Sequence, residues 1–323
     1  MSSFSIKATA KAVPEKIVTN DDLAEIMDTS DEWISRRTGI KERRVAISET
    51  TTSLCAEVAS KLLDKANVDA SQIDFIIVGT MSSDYQTPST AAAVQGIIGA
   101  NKAIAFDINA ACSGFVYGSY TMQSLLNGKP NSLGIVIGGE QLSKLINWHD
   151  RTTAVLFGDG AGGMLVSNQG SGEVLASNLK TYGDQGKALL AGHMIGDEHF
   201  GKVADQTDQY FHMDGREVFN FATKNVPNSI KEALSEANLD ANDVKYFILH
   251  QANARIVRNV ARKMKADDQK FPINIDRYGN TAAASEPILL SEMMENGLIA
   301  KGDIIVLSGF GGGLTTGTMI LRY

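Results

Sequence analysis

Cysteine is nearly absent from this chain: Cys55 and Cys112 are the only two in 323 residues. Neither has metal-ligand spacing, and so few thiols fit a reducing compartment, where an isolated one is either core filler or reactive. An excess of basic charge is missing too. A net charge of −7 argues against nucleic acid as a partner, since phosphate neutralisation needs a basic surface. No apolar run approaches the roughly 20 residues that span a bilayer, and the start MSSFSIKATAKAVPEK lacks the apolar core of a signal peptide. The expectation is a cytoplasmic protein without a membrane partner. No GxxxxGK[ST] loop occurs, so phosphate-cradling NTPase chemistry has no support. What remains is an ordinary globular composition, 43% hydrophobic and 21% charged, long enough for one large domain or two of about 150 residues.

The chain repeats itself. LDKANVDASQIDFIIVG (63–79) aligns without gaps to LSEANLDANDVKYFILH (234–250), with Leu63/Leu234, Asn67/Asn238, Asp69/Asp240 and Ile77/Ile248 among the identities. Each copy reads as a helix end, an Asn-x-Asp turn and a short apolar strand. A second pair supports the first: IVIGGE with FGDGAGGMLVS (135–167) resembles IIVLSGFGGGLTTGTMILRY (304–323). Short buried strands at 74–79, 103–108 and 133–138 alternate with helices near 88–98 and 113–127, the pattern of a layered α/β fold. Two similar halves are expected, 1–172 and 173–323, joined near SNQGSGEV. Residues 180–217 show no period and read as long loops or an insertion. GDGAGG (158–163) fits the dinucleotide pattern G-x-G-x-x-G, but strand-like MLVS follows where a helix is required, so a turn between strands is favoured.

Three positions carry possible chemistry. Cys112 lies between the strand AIAFDI and the helix-like SGFVYGSYTMQSLL, where free N–H groups and the helix dipole favour a thiolate; a buried, packed thiol is the competing reading. Cys55, beside Leu54, Val58 and Leu62 at helical spacing, reads as core. His250 ends the strand KYFIL, at the carboxyl edge where α/β sheets place their sites, although a satisfied structural histidine fits equally. Asn280, in RYGNTAAASEPILL, reads by itself as a cap or turn residue. Together, Cys, His and Asn in this order admit two chemistries. One is a papain-type cysteine hydrolase, whose His follows the nucleophile by about 130–150 residues, though the motif CG[SA]C[WY] is absent. The other is acyl transfer to a thiol followed by carbon–carbon bond formation.

WISRRTGIKERR (33–44), Thr87-Pro88-Ser89, AACSGF (110–115), FGDGAGG (157–163), HQANARI (250–256), GNTAAAS (279–285) and GFGGGLTTG (309–317) resemble, in order, the signatures of the β-ketoacyl-acyl carrier protein synthase III family. The resemblance implies a thiolase-like fold of duplicated halves in five α/β/α/β/α layers. It also implies a homodimer, with the loop near 87 and the 185–217 region close to the partner. The implied activity is that of an acyltransferase: decarboxylative condensation of a short acyl-CoA with malonyl-acyl carrier protein, without metal or other cofactor.

By the same resemblance, Cys112 is the nucleophile, and His250 and Asn280 stabilise the enolate formed on decarboxylation. The N–H groups of Cys112 and Gly312 form the oxyanion site, with glycine letting the chain approach the sulfur. Trp33, Arg37, Arg151 and Asn253 are implied CoA contacts, and Phe310 closes the malonyl side. Thr87 occupies a position where some members carry a bulky aromatic, which implies room in the primer pocket for groups larger than acetyl. Between His250 and Lys265 there are five cations and no acid. Arg255, Arg258 and Arg262 share one helical face, and Arg255 and Arg258 are the implied docking residues for the acidic carrier protein.

Overall fold

The computed structural model describes residues 3–193 and 209–323. The two repeat copies fold alike. The helices Thr51–Ala66 and Gly215–Glu236 run out into asparagines in the left-handed region, Asn67 at φ 51° and Asn238 at φ 55°. Asparagine tolerates that region better than most side chains. Equivalent bonds close both ends, Val68 N–H to Leu63 O at 3.1 Å and Leu239 N–H to Leu234 O at 2.9 Å. Asp69 and Asp240 then accept from the N–H of Ser71 and Asn242, turning the chain into a strand.

In chain order the strands are β1 (Ser5–Ala12), β2 (Ile17–Thr19), β3 (Glu42–Arg44), β4 (Phe75–Gly79), β5 (Ile104–Ile108), β6 (Leu133–Glu140), β7 (Gly160–Ser167), β8 (Glu173–Thr181), β9 (Leu189–Leu190), β10 (His212–Met213), β11 (Tyr246–Leu249), β12 (Ile304–Gly311) and β13 (Thr315–Arg322). The α-helices are α1 (Asn20–Ala24), α2 (Asp31–Thr38), α3 (Thr51–Ala66), α4 (Thr90–Ile98), α5 (Gly114–Asn127), α6 (Arg151–Ala154), α7 (Gly215–Glu236), α8 (Ala254–Met264), α9 (Ile275–Tyr278) and α10 (Ser285–Glu295).

One sheet has the order β1-β7-β6-β4-β5 and the other β8-β13-β12-β11. The Gly-rich pairs β6/β7 and β12/β13 are both antiparallel, while β4/β6 and β11/β12 are both parallel, so the two sheets share one plan. GDGAGG leads into β7, a strand, as its sequel MLVS requires. The part of 180–217 expected to be loop holds more order than its sequence suggests: β9 pairs with β10, and α7 already begins at Gly215. Residues 194–208 of the segment expected near a partner lie outside the described residues.

Apolar faces order the layers. Leu54, Val58 and Leu62 of α3 pack with Ile76, Ile135 and Leu165 on one side of the first sheet. Phe115 and Met122 of α5, with Leu289 and Met293 of α10, fill the space between the sheets. Val226 and Ile230 of α7 and Val257 and Val260 of α8 cover the far side of the second sheet. This is the α/β/α/β/α arrangement, with α5 and α10 in its middle layer. Cys55 is fully buried in the outer cluster and is core, as its spacing requires.

The turns that enter the middle helices touch the sheets backbone to backbone. A Cβ on Gly138 of β6 would lie 1.9 Å from the Ala283 carbonyl oxygen, and one on Gly79 of β4 2.6 Å from the Gly114 carbonyl carbon. Since neither contact can give way without moving main chain, Gly138→Ala is expected to destabilise the fold by about 2 kcal/mol or more. Urea unfolding measures it, and a loss near zero would show that the Ala282–Ala284 turn is free to shift.

Candidate active site

The strand-to-helix turn expected at Cys112 is present. β5 ends at Ile108, and a 3-10 turn over Ala111–Ser113 leads directly into α5. Ala111 adopts φ 47°, unusual for a residue with a side chain and a sign of backbone strain held beside Cys112. From the other half, His250 follows β11 and gives its N–H to Ser308 O of β12 at 2.9 Å. Asn280 sits in the turn between α9 and α10, held by a backbone bridge to Phe157. Its N–H donates to Leu156 O at 2.8 Å, and its carbonyl accepts from Gly158 N–H at 3.0 Å.

Cys112, His250 and Asn280 line one cavity of about 90 Å³, walled by Phe157, Phe211 and Phe310 among others. Phe157 and Phe211 stack at 4.2 Å, and Phe310 meets the His250 ring edge-on at 5.1 Å. Sequence reasoning missed Phe157 and Phe211 as walls. Phe157 stood in plain sight at the head of FGDGAGG, whereas Phe211 lies in a stretch without period.

The side chains are neutral and under-bonded. Burial pushes the His250 imidazole down to about 3, so it carries no charge at neutral pH, and its buried Nδ1 has no hydrogen-bond partner among the described residues. That removes the reading of a satisfied structural histidine. The Asn280 Oδ1 accepts from Ala282 N–H at 2.9 Å, which leaves its Nδ2 donors to the cavity. The hydrolase reading fails on the same bonds. A Cys-His-Asn hydrolase uses its Asn to orient the His, and here Asn280 is bonded to Ala282.

Three expectations need correction. The helix end does not prevail at Cys112: burial pushes its thiol up, and the carboxyls of Glu140 and Glu286 push it further. Both acids are fully buried. Glu140 is held by Ser82, Thr80 and the Met81 N–H, while neither oxygen of Glu286 has a partner among the described residues. Secondly, the close approach assigned to Gly312 is made by Gly311, where a Cβ would lie 2.6 Å from Cys112 N. Gly312, past the end of β12, stands 3.4 Å by the same measure from the Ala111 Cβ. Thirdly, Thr87 is exposed and is not a wall of its own chain's cavity, because the 81–89 loop carries it outward.

A cleft of about 480 Å³ leads to the cavity and shares Leu156, Met213, Phe219 and Asn253 with it. Trp33 lies at this mouth under two guanidinium groups, Arg37 at 4.7 Å and Arg151 at 5.5 Å from the ring centre. Arg151 donates to Asp28 O at 2.7 Å. Asn253 caps α8, accepting from Arg255 N–H at 2.8 Å and donating to Arg37 O at 3.1 Å, so it ties the mouth together. Arg255, Arg258 and Arg262 project from the exposed face of α8, opposite buried Val257, Val260 and Met264.

A thiol that shares a cavity with a neutral imidazole and an uncommitted carboxamide N–H suits acyl transfer followed by attack of a carbanion, the work of thiolase-like condensing enzymes. Comparison narrows that class. Family models described as 3-oxoacyl-[acyl-carrier-protein (ACP)] synthase III match residues 106–183, and those of its C terminal match residues 234–323. The chain is 54% identical over 322 residues to a β-ketoacyl-[acyl-carrier-protein] synthase III of Lactobacillus helveticus, covering 99% of this chain and 98% of that protein. To the one from Streptococcus mutans it is 47% identical, with both chains fully covered. The crystal structure of 3-oxoacyl-[acyl-carrier-protein] synthase III from Aquifex aeolicus superposes with a TM-score of 0.93 at 39% identity, over 99% of this chain and 100% of that one. The chain belongs to the β-ketoacyl-acyl carrier protein synthase III family, and it is an acyltransferase.

Because the thiol is held protonated, iodoacetamide should label Cys112 of the ligand-free protein at pH 7.5 at least about tenfold more slowly than it labels a small free thiol. Mass spectrometry against Cys112→Ser gives the rate; labelling as fast as the free thiol would mean the helix end wins after all. For His250 the folded value is depressed, so the unfolded chain binds the extra proton between about 6.5 and 3 and stability falls as pH falls through that window. Urea midpoints of His250→Asn should therefore drop less between pH 6.5 and 4.5 than those of the parent.

Proposed function

We propose the following division of labour for the family's reaction, condensation of a short acyl-CoA with malonyl-acyl carrier protein to start fatty acid synthesis. Cys112 Sγ attacks the acyl-CoA carbonyl; the bond to the CoA sulfur breaks, and the thiol proton leaves on CoA. The N–H groups of Cys112 and Gly312 hold the oxyanion of that step. Malonyl then loses CO₂, and His250 and Asn280 donate to the enolate oxygen. The enolate carbon attacks the Cys112 thioester, forming the carbon–carbon bond, and the released thiolate takes up a proton. A neutral imidazole suits a donor that keeps its proton. No redox group is required, since condensation and loss of CO₂ exchange no electrons with a cofactor, and His250 and Asn280 take the place a Lewis-acidic metal would have at the enolate oxygen. The observation that carries this reading is the shared cavity, which joins the nucleophile of one half to two uncommitted donors of the other.

The mouth supports the binding roles. Trp33 offers its face to an adenine, Arg37 and Arg151 their charge to CoA phosphates, and Asn253 a remaining N–H to the pantetheine arm; Phe310 shields the malonyl side. The basic face of α8 opens beside this mouth, so Arg255 and Arg258 would steer an acidic carrier protein to it. We place the nucleophile on a half spanning residues 1–172 and its donors on a half spanning 173–323, in a cytoplasmic homodimer. Support for the dimer comes from β5, an edge strand with Ile104 60% exposed, near which Tyr85 and Ile97 are also uncovered. Thr87, exposed two residues from Tyr85, would then border the partner's primer pocket.

Mixing with acetyl-CoA should add one acetyl group to the enzyme and none to Cys112→Ser; absence of an adduct on the parent would sink the scheme. His250→Ala and Asn280→Ala should keep acetylation but lose CO₂ release from malonyl-acyl carrier protein by about 100-fold or more each. Arg255→Glu should weaken use of the carrier substrate while leaving acetylation nearly intact; equal loss in both steps rejects the docking role. Propionyl-, butyryl- and branched-CoA primers should also be turned over, and strict acetyl selectivity would refute the role given to Thr87.

A further inference from the structure

Glu292 of α10 lies outside the cavity, yet more strong donors converge on it than on any carboxylate near the site. Its Oε1 accepts from Lys11 Nζ at 2.6 Å, the Tyr278 hydroxyl at 2.6 Å and Arg277 Nη1 at 3.1 Å. Its Oε2 accepts from Arg277 Nη2 at 2.9 Å and Asn274 Nδ2 at 3.0 Å. Glu292 is 8% exposed, and although burial opposes its charge, the bonds from Lys11, Tyr278, Asn274 and Arg277 prevail and draw its carboxyl down to about 2. Lys11 comes from β1, so the first half of the chain is tied in as well.

The partners are placed beside the two donors of the reaction. Asn274 precedes and Arg277 and Tyr278 end α9, the one-turn helix that leads through Gly279 to Asn280 at the cavity wall. Asn274 reaches in the other direction too: its N–H donates to Gln251 Oε1 at 3.3 Å, and Gln251 Nε2 donates to Leu249 O at 2.8 Å. Leu249 and Gln251 flank His250. One carboxylate therefore braces the backbone on which His250 and Asn280 both stand, from the side away from the substrate.

We infer that Glu292 is a positioning residue for decarboxylation, setting the His250 and Asn280 donors in register with each other. This rests on the reading of those two side chains as enolate donors. The nucleophile stands on a turn of its own, which meets the Ala282–Ala284 turn but, among the described residues, takes no hydrogen bond from Glu292 or its partners, so acylation should depend on the brace far less than decarboxylation does. Misplacement of a donor by about 1 Å is enough to cost about 100-fold in rate.

The test compares Glu292→Gln with the parent in two assays: acetyl transfer to Cys112 by mass spectrometry, and CO₂ release from malonyl-acyl carrier protein. Expected are acetylation within about twofold, kcat for CO₂ release down about 100-fold and KM within about threefold. A purely structural role would lower both activities together. CO₂ release at the parent's rate in a variant that still acetylates overturns the inference. Should Glu292→Gln fail to fold, Asn274→Ala and Tyr278→Phe decide, since each cuts one branch of the network. Each should slow CO₂ release about tenfold with acetylation intact, and unchanged CO₂ release in both overturns the inference. His250→Ala and Asn280→Ala run alongside; if they too leave CO₂ release unchanged, the donor reading itself has failed and the inference falls with it.

Discussion

The site depends on main chain meeting main chain in the middle of the molecule. The turn before α5 and the turn before α10 press against each other and against the inner ends of β4, β6 and β12, at distances that no side chain could occupy. Interiors are packed too densely for such a contact to be approximate. That contact brings a residue of the first half to within one cavity of residues from the second. Glycine is therefore placed by the need for approach, and the chemistry follows from what the approach juxtaposes.

Burial on this scale sets the electrostatics. Burial pushes the Cys112 thiol up and the His250 imidazole down, toward the neutral form of each, and the two buried acids beside Cys112 add to the push on the thiol. The thiol and the imidazole that face the cavity are thus uncharged at rest, while positive charge is gathered at its edges: guanidinium groups around Trp33 at the mouth, and the Lys11 and Arg277 partners of Glu292 at the back. Fixed dipoles and N–H donors in such surroundings act strongly on charge that develops during reaction, because little solvent competes with them.

Much of this was legible in the chain itself. Asn67 and Asn238 announced equivalent helix ends, and the two Gly-rich runs became equivalent antiparallel pairs. Cys112, His250 and Asn280 were legible because each sits where a strand or short turn stops, a local property that sequence records. What sequence did not record is register across distant elements. Whether Gly311 or Gly312 meets Cys112 depends on how far β12 runs before it turns, and whether Thr87 faces inward depends on the path of a whole loop. Glu140, Glu286 and Glu292 carry no sequence signal of their own; their burial and their partners are set by residues far away in the chain. The thiol was misread for the same reason, since the helix end is local and the desolvation is not.

The size of the cavity has a consequence for the lifetime of the intermediate. About 90 Å³ admits only a few water molecules. A thioester held there meets little water, and the neighbouring imidazole is too weak a base to activate what does enter. On the proposed scheme, geometry and acidity together would disfavour hydrolysis of the stored acyl group, so that the acyl-enzyme outlasts the wait for a carbon nucleophile on its carrier arm.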